Sequence, residues 1–183
     1  SAVALCGGEV RINGVGDEYL GSVVETLRSE EISIDADECG MFVRSCGRAH
    51  PVRIATAPYP MFPTDMQPQL FAFACFADGV SSIKETVFEN RFAHAKEFAK
   101  LGANIRLENN VATVYGNSSL KDVAAADSLM ASDLRGGAGL MIAALKINGK
   151  TNVFGSEYID RGYESIEDVF CSLGGVVRRK TAD

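Results

Sequence analysis

Asp78-Gly-Val-Ser-Ser-Ile-Lys-Glu-Thr-Val-Phe-Glu-Asn-Arg-Phe92 reads as a turn, a short strand and a loop bearing acids and an arginine; it continues through Phe98 and Leu101 to Ile105. Two other stretches repeat the plan. Gly7-Gly-Glu-Val-Arg-Ile-Asn-Gly-Val-Gly-Asp-Glu-Tyr-Leu20 runs on through Val23, Val24 and Leu27 to Ile32. Asn148-Gly-Lys-Thr-Asn-Val-Phe-Gly-Ser-Glu-Tyr-Ile-Asp-Arg-Gly162 runs on through Ile166, Val169 and Leu173 to Val177. Gly8, Gly79 and Gly149 correspond, spaced 71 and then 70 residues apart. Self-similarity at a fixed period outranks local propensity, because each repeat is one supersecondary unit that buries its apolar face only against its neighbours.

Each unit continues as an amphipathic helix and returning strands. Phe88, Phe92, Ala95, Phe98, Ala99 and Leu101 recur at roughly helical spacing and predict one apolar stripe. Gly102 and Gly174 stand where left-handed residues would end the helices of the second and third units. Ile32–Ala36 with Met41–Ser45, and Ile105–Glu108 with Val111–Tyr115, read as strand pairs, the second closed by the turn Glu108-Asn-Asn-Val111. The units also share a second helix. Pro63-Thr-Asp-Met-Gln67 parallels Ala131-Ser-Asp-Leu-Arg135, so Asp65 and Asp133 hold equivalent places 68 residues apart. Ser1 to Gly8 resembles the end of that same helix, and the last unit reaches only its first returning strand. Both ends are therefore expected to fall inside a unit. The expected fold class is α/β with mixed strand directions and threefold pseudosymmetry, helices packed inside or against small sheets. Residues 1–183 contain no linker or charge block that would divide them and are expected to form a single domain.

The 183 residues are enough for a full-sized core. Lys and Arg number 18 against 24 Asp and Glu, a net charge of −6, so general attraction to nucleic acid or an anionic membrane is not expected. An anionic ligand would have to be held by a few placed arginines. No stretch is apolar for long enough to insert in a membrane, and no basic region leads into an apolar run at the start. Cys6, Cys39, Cys46, Cys75 and Cys171 are odd in number and widely spaced, as reduced thiols of a cytoplasmic protein would be. With only His50 and His94 besides, no metal site is expected. His94, four residues after Asn90, has no Cys or Asp constellation and reads as structural or surface.

The candidate chemistry centres on Thr56-Ala-Pro-Tyr-Pro-Met-Phe-Pro-Thr-Asp-Met-Gln67. Pro58, Pro60 and Pro63 stiffen the backbone and push the residues before them toward extended conformations. This predicts a rigid extended approach that stops at a helix start, with Thr64 or Asp65 as its cap. Capping is the ordinary role for such an aspartate; on stiff backbone it is also a candidate for proton transfer. Arg91, Arg135 and Arg161 lie at related loop or helix-start positions, Arg91 and Arg161 at equivalent ones. Equivalent positions in a ring of repeats converge, and convergent guanidiniums fork-bind carboxylate and phosphate. The bland alternative is a set of solvated ion pairs, Glu89 with Arg91 and Asp160 with Arg161, contributing under about 1 kcal/mol each. Gly136-Gly-Ala-Gly139, just inside a helix, reads either as close helix packing or as an anion site on the helix amides, without the spacing of a dinucleotide fingerprint or P-loop.

Thr56–Gln67, Glu85-Thr-Val-Phe-Glu-Asn-Arg-Phe92, Ala131–Arg135 and Ile159-Asp-Arg-Gly-Tyr-Glu164 resemble the enolpyruvyl transferase family, four motifs in order over nearly the whole chain. They are similar to its members that act on UDP-N-acetylglucosamine in peptidoglycan synthesis, and cover most of the later of two domains. The resemblance implies an inverted α/β barrel of three repeats, phosphoenolpyruvate and UDP-N-acetylglucosamine as substrates, no cofactor, and the missing domain of the same enzyme as partner. It implies that Asp65 deprotonates the sugar 3′-hydroxyl and that Asp133 is a second acid near the reacting centre. Val87 would touch the nucleotide sugar through its backbone. Arg91, Arg135 and Arg161 would surround phosphoenolpyruvate, Arg161 among the catalytic groups. Two departures stand out. Gly136, Gly137 and Gly139 replace the usual serines and alanines, which would loosen the helix by about 1 kcal/mol per glycine. The family's loop cysteine, a lysine and further arginines belong to the other domain, and none of the five cysteines matches, so the chain alone is expected to be inactive. A shikimate-pathway relative of the same fold and a non-catalytic nucleotide-sugar-binding module are the alternatives.

Overall fold

The computed structural model describes residues 1–122 and 128–180. The first unit places β1 (Gly8–Asn13), α2 (Gly21–Leu27), β2 (Ile32–Asp37) and β3 (Gly40–Ser45) after a short helix α1 (Ala2–Cys6). The second places β5 (Gly79–Lys84), α4 (Ala95–Lys100), β6 (Asn104–Glu108) and β7 (Val111–Gly116) after β4 (Arg53–Ala55) and the helix α3 (Gln67–Cys75). The third consists of β9 (Val153–Phe154), α6 (Ser156–Ile159) and α7 (Ile166–Ser172), after β8 (Leu129–Met130) and α5 (Leu134–Lys146). The antiparallel order β1-β3-β2 recurs as β5-β7-β6, with β4 added parallel to β5; β8 and β9 form a parallel pair by themselves. The predicted hairpins are present, and Asn109, with φ 53°, takes the left-handed position of the two-residue turn between β6 and β7.

α1, α3 and α5 are the repeated second helix. α3 packs on α5 and α5 on α1. All nine residues of α3 are buried; Leu70 to Cys75 is apolar on every side and has no face to give to water, and Gln67 and Gln69 are buried along with it. The sheets lie outside these helices, so one core runs from Leu5 through Phe71 and Phe73 to Ile83, Phe98 and Leu140. The helix ends follow the glycine prediction closely. Gly102 and Gly174 sit at φ 90° and 91°. The amides of Gly102 and Ala103 close onto Ala99 and Phe98, and those of Gly174 and Gly175 onto Cys171 and Phe170, a Schellman end in both units.

Three expectations fail. The apolar stripe is shorter than predicted, since α4 begins at Ala95, and Phe88 is exposed on the preceding loop with the Arg91 guanidinium 5.3 Å above its ring. The proline stretch doubles back instead of extending: Met61 bonds to the Pro58 carbonyl, Ala57 to the Phe62 carbonyl, and a 3-10 turn over Thr64–Met66 leads into α3. Residues 173–180 form no returning strand, and among the described residues no strand pairs with them. Arg179 anchors them instead, bridging Asp160 and Glu167 at 2.6 to 3.0 Å.

Gly136, Gly137 and Gly139 are accounted for by space. A Cβ on Gly139 would stand 2.6 Å from the Pro68 carbonyl oxygen, and one on Gly137 would stand 2.6 Å from Ile159. Gly139→Ala therefore sets two effects against each other. Alanine gains about 1 kcal/mol of helix propensity, whereas overpacking against backbone costs about 1–3 kcal/mol. Since α3 is buried all round and has nowhere to retreat, a net loss of up to about 2 kcal/mol is expected in urea unfolding. A midpoint higher than that of the parent would show that α3 and α5 part freely.

Candidate active site

The site is built where parallel strands end. β4 and β5 run side by side, Ala55 opposite Lys84, and the Thr56 amide bonds to the Lys84 carbonyl at 2.9 Å. From β4 the chain turns through the prolines to Asp65; from β5 it passes through Val87 to Arg91. β8 and β9 repeat the device, with the Ala131 amide on the Phe154 carbonyl at 2.9 Å. β8 leads to Asp133 and Arg135, β9 to Arg161.

Asp65 gathers the arginines. Arg91 Nη2 donates to its Oδ1 at 3.3 Å and Arg135 Nη2 to its Oδ2 at 3.0 Å. The hydrogen bond from Arg135 holds the Asp65 carboxyl below the usual carboxylate range; partial burial opposes it, and the charges of Arg135 and Arg91 add to it. The carboxylate is 55% exposed and the two arginines 27% and 29%, so the cluster opens to solvent on one side. Neither solvated local pair of the bland reading forms, as Arg91 pairs with Asp65 rather than Glu89, and Asp160 with Arg179 rather than Arg161.

The repeat mates have separated in role. Asp65 and Thr64 do not cap α3, and the Thr64 hydroxyl is turned onto Glu85. Asp133 does cap α5, its Oδ1 accepting from the amides of Arg135 at 3.0 Å and Gly136 at 2.8 Å, while the Gly137 amide takes the Asp133 carbonyl. With those amides occupied, the glycine-rich turn is not an anion site. The physical reason for the difference is the approach: Asp133 enters extended, at φ −153° and ψ 164°, which swings its carboxylate over the first turn. Asp65 lies inside a 3-10 turn, and its carboxylate is taken by Arg91 and Arg135 instead.

Arg161 stays apart. Its guanidinium rests 4.8 Å above the Tyr158 ring, and among the described residues no ion pair joins it to Asp65 or Asp133. Tyr163, from the same loop, does reach the cluster: Gln69 Nε2 donates to its hydroxyl at 3.2 Å and Arg135 lies 6.0 Å from its ring. Val87 is half-exposed, but its amide donates to Glu85 Oε1 at 2.9 Å, which leaves its carbonyl for a ligand. Glu85, Tyr163 and Arg179 escape notice in the sequence. The hydroxyls that hold Glu85, those of Thr56 and Thr64, are 29 and 21 residues away in the chain, so no local pattern announces it.

Among the described residues, no cluster of three or more His, Cys, Asp or Glu side chains is arranged to hold a metal, and no helix is long and apolar enough to cross a membrane. The five cysteines are free.

Paired α-helix-lined repeats whose parallel strand ends present an acid and two arginines at one edge define a class that comparison with known proteins makes specific. The family model described as EPSP synthase (3-phosphoshikimate 1-carboxyvinyltransferase) matches residues 1–170, and the chain belongs to this family of enolpyruvyl transferases. It is 43% identical over 182 residues to the UDP-N-acetylglucosamine 1-carboxyvinyltransferase of Anaeromyxobacter sp. (strain Fw109-5), covering all of this chain and 42% of that protein. The enzyme of the same name from Novosphingobium aromaticivorans is 40% identical over 182 residues, again with 42% of its length covered. The chain thus spans about two fifths of the length of these relatives. Among solved structures, the enolpyruvyl transferase NikO from Streptomyces tendae superposes with TM-score 0.84 at 26% identity, over all of this chain and 43% of that one. An EPSP synthase from Acinetobacter baumannii, at TM-score 0.57 and 17% identity over 83% of this chain and 37% of its own, shares the fold.

Proposed function

We propose that residues 1–183 are one catalytic half of an enzyme that transfers the 1-carboxyvinyl group of phosphoenolpyruvate to the 3′-hydroxyl of UDP-N-acetylglucosamine, the entry step of peptidoglycan synthesis. The three units would belong to an inverted α/β barrel with threefold pseudosymmetry, the other half of the site coming from the missing domain. The observation that carries this reading is the convergence of Arg91 and Arg135, from different units, on the single exposed carboxylate of Asp65. The 40–43% identity to carboxyvinyltransferases supports the substrate choice.

The chemistry runs as addition and elimination. The sugar oxygen bonds to C2 of phosphoenolpyruvate while C3 gains a proton; then C3 loses a proton and the C2–O bond to phosphate breaks, leaving the enol ether and free phosphate. Asp65 accepts the proton of the 3′-hydroxyl. As it stands Asp65 is a weak base, because two guanidiniums stabilise its anion. Phosphoenolpyruvate offers a phosphate and a carboxylate, both better matched to guanidinium forks than one exposed aspartate. Arg91 and Arg135 pass from Asp65 to the substrate, with Arg161 joining from the Tyr158 ring, and Asp65 recovers its basicity when its proton is on offer. The same cations then neutralise the departing phosphate. Asp133 fixes the start of α5 and with it Arg135.

Phosphate release decides the reading. The full-length enzyme is expected to release phosphate from phosphoenolpyruvate with UDP-N-acetylglucosamine and not with 3-phosphoshikimate, and residues 1–183 alone are expected to release almost none. Turnover with the shikimate acceptor would move the protein to the other branch of the family, and robust turnover by the 183 residues would overturn the half-site reading.

A further inference from the structure

We propose that Glu85 is the positioning residue of this site, a buried carboxylate that locks the Asp65 loop and the Arg91 loop in one register. The inference rests on the reading of Asp65 and Arg91 as catalytic groups. Glu85 is 1% exposed and uses both oxygens. Oε1 accepts from the Thr56 hydroxyl at 2.7 Å and from the amides of Val87 at 2.9 Å and Phe88 at 3.1 Å; Oε2 accepts from the Thr64 hydroxyl at 2.9 Å. Thr56 opens the proline loop, Thr64 immediately precedes Asp65, and Val87 and Phe88 begin the segment that ends at Arg91. One side chain therefore ties the origin and the end of the Asp65 loop to the start of the Arg91 loop. Thr86 doubles the tie, its amide donating to Thr56 Oγ1 at 2.9 Å and its hydroxyl to the Thr56 carbonyl.

The third unit shows that the fold does not need this carboxylate. By the matching amide bonds after the parallel strands, Thr56 corresponds to Ala131 and Glu85 to Gly155. Gly155, at φ 80°, presses its backbone so close to the Ala131 carbonyl that a Cβ would stand 2.3 Å from that oxygen. Strand ends can thus be closed by glycine alone. A charge withdrawn from water and satisfied by four donors is a costly alternative, and it occurs in the unit where an acid and an arginine from the two loops must meet. Burial tends to raise the Glu85 carboxyl, but the bonds from Thr56, Val87, Thr64 and Phe88 prevail and keep it below the usual range, so it stays ionised.

The test uses Glu85→Gln, and Thr64→Val as a milder variant that keeps the charge, both in the full-length enzyme. Asp65 is followed by carbon-13 carboxyl titration, which needs no turnover, and kcat and KM are measured at saturating and limiting nucleotide sugar. Both variants are expected to raise the Asp65 pKa as its arginines lose register, and to lower kcat by about tenfold to hundredfold, more than KM rises. Direction separates the causes: removing a neighbouring negative charge would by itself lower the Asp65 pKa. A folded Glu85→Gln or Thr64→Val enzyme whose Asp65 titrates as in the parent, or whose kcat is unchanged, overturns the proposal; should Glu85→Gln not fold, Thr64→Val decides alone. If the parent enzyme does not use phosphoenolpyruvate and UDP-N-acetylglucosamine, the functional reading falls while the Asp65 titration still decides the role of Glu85.

Discussion

Asp65→Asn in the full-length enzyme is expected to lower kcat by about 10²–10⁴-fold, the range ascribed to a positioned general base, with KM for the nucleotide sugar changed only a few-fold. Asparagine keeps the shape of the side chain and one oxygen able to accept from a guanidinium or a sugar hydroxyl, so the binding geometry survives. It carries no charge and cannot take the hydroxyl proton. The arginines lose their resting partner, which removes a competitor for phosphoenolpyruvate; affinity for that substrate should hold or improve while turnover falls. Folding should be nearly indifferent, because the Asp65 carboxylate is 55% exposed and exposed pairs contribute under about 1 kcal/mol. A thermal midpoint close to the parent's, together with a collapsed kcat, is the expected combination. A kcat near that of the parent would move the base elsewhere, and Asp133, held by two amides of its own helix, would have to leave its cap to serve.

The repeat was legible because backbone requirements leave marks in sequence. Gly79 and Gly149 adopt φ 139° and 125°, Gly102 and Gly174 end helices in the left-handed region, and Asn109 sits at the hairpin, so the residue types that tolerate those conformations recur with the period. Of the candidate residues the fold brings Asp65, Arg91 and Arg135 together and leaves Arg161 apart, and the bonds among them were not legible in the sequence. The partner of Arg91 is Asp65 rather than nearby Glu89, because β4 and β5 end side by side, and the partner of Asp160 is Arg179 rather than Arg161, because the segment after α7 returns to Asp160 and Glu167. The same holds for Thr64 and Asp65, which a local rule makes caps and which the Glu85 carboxylate and two guanidiniums claim instead. Glu85 itself carries no local sign of burial, since a glutamate following a strand ordinarily faces water. The proline loop misled for a further reason: three prolines fix φ but leave ψ to the contacts, and the bond from Ala57 to Phe62 folds the loop back on itself.

Acidification from pH 7 to about pH 4.5 is expected to cost this protein up to about 3 kcal/mol of stability through one residue, His94. It was expected to be structural or at the surface; it is 3% exposed, at the start of α4, with its ring edge-on to Phe71 at 5.0 Å and to Phe98 at 5.8 Å and tilted against Phe92 at 6.2 Å. Its Nε2 has no hydrogen-bond partner. Burial pushes its pKa down to about 4, with the nearby Asp133 carboxylate opposing that and the Arg91 guanidinium adding to it. The sign follows from proton counting. As pH falls through about 6.5 the unfolded chain takes up a proton on this histidine, while the folded protein holds it neutral until about 4. The unfolded state is favoured progressively across that window, and below it His94 contributes no further loss. The lowered carboxylates Asp65 and Glu85 act in the same direction but at lower pH, since their unfolded values are near 4. Urea unfolding at a series of pH values should show the slope between 6.5 and 4, and His94→Leu, which fills the ring cluster without a titrating group, should flatten it. A slope unchanged in His94→Leu would place the acid sensitivity elsewhere. The variant also separates two causes of activity loss in mild acid. A decline between pH 6.5 and 4.5 that disappears in His94→Leu comes from loosening of the α4 and α5 starts; one that persists comes from groups other than His94, Asp65 included once its arginines have passed to the substrate.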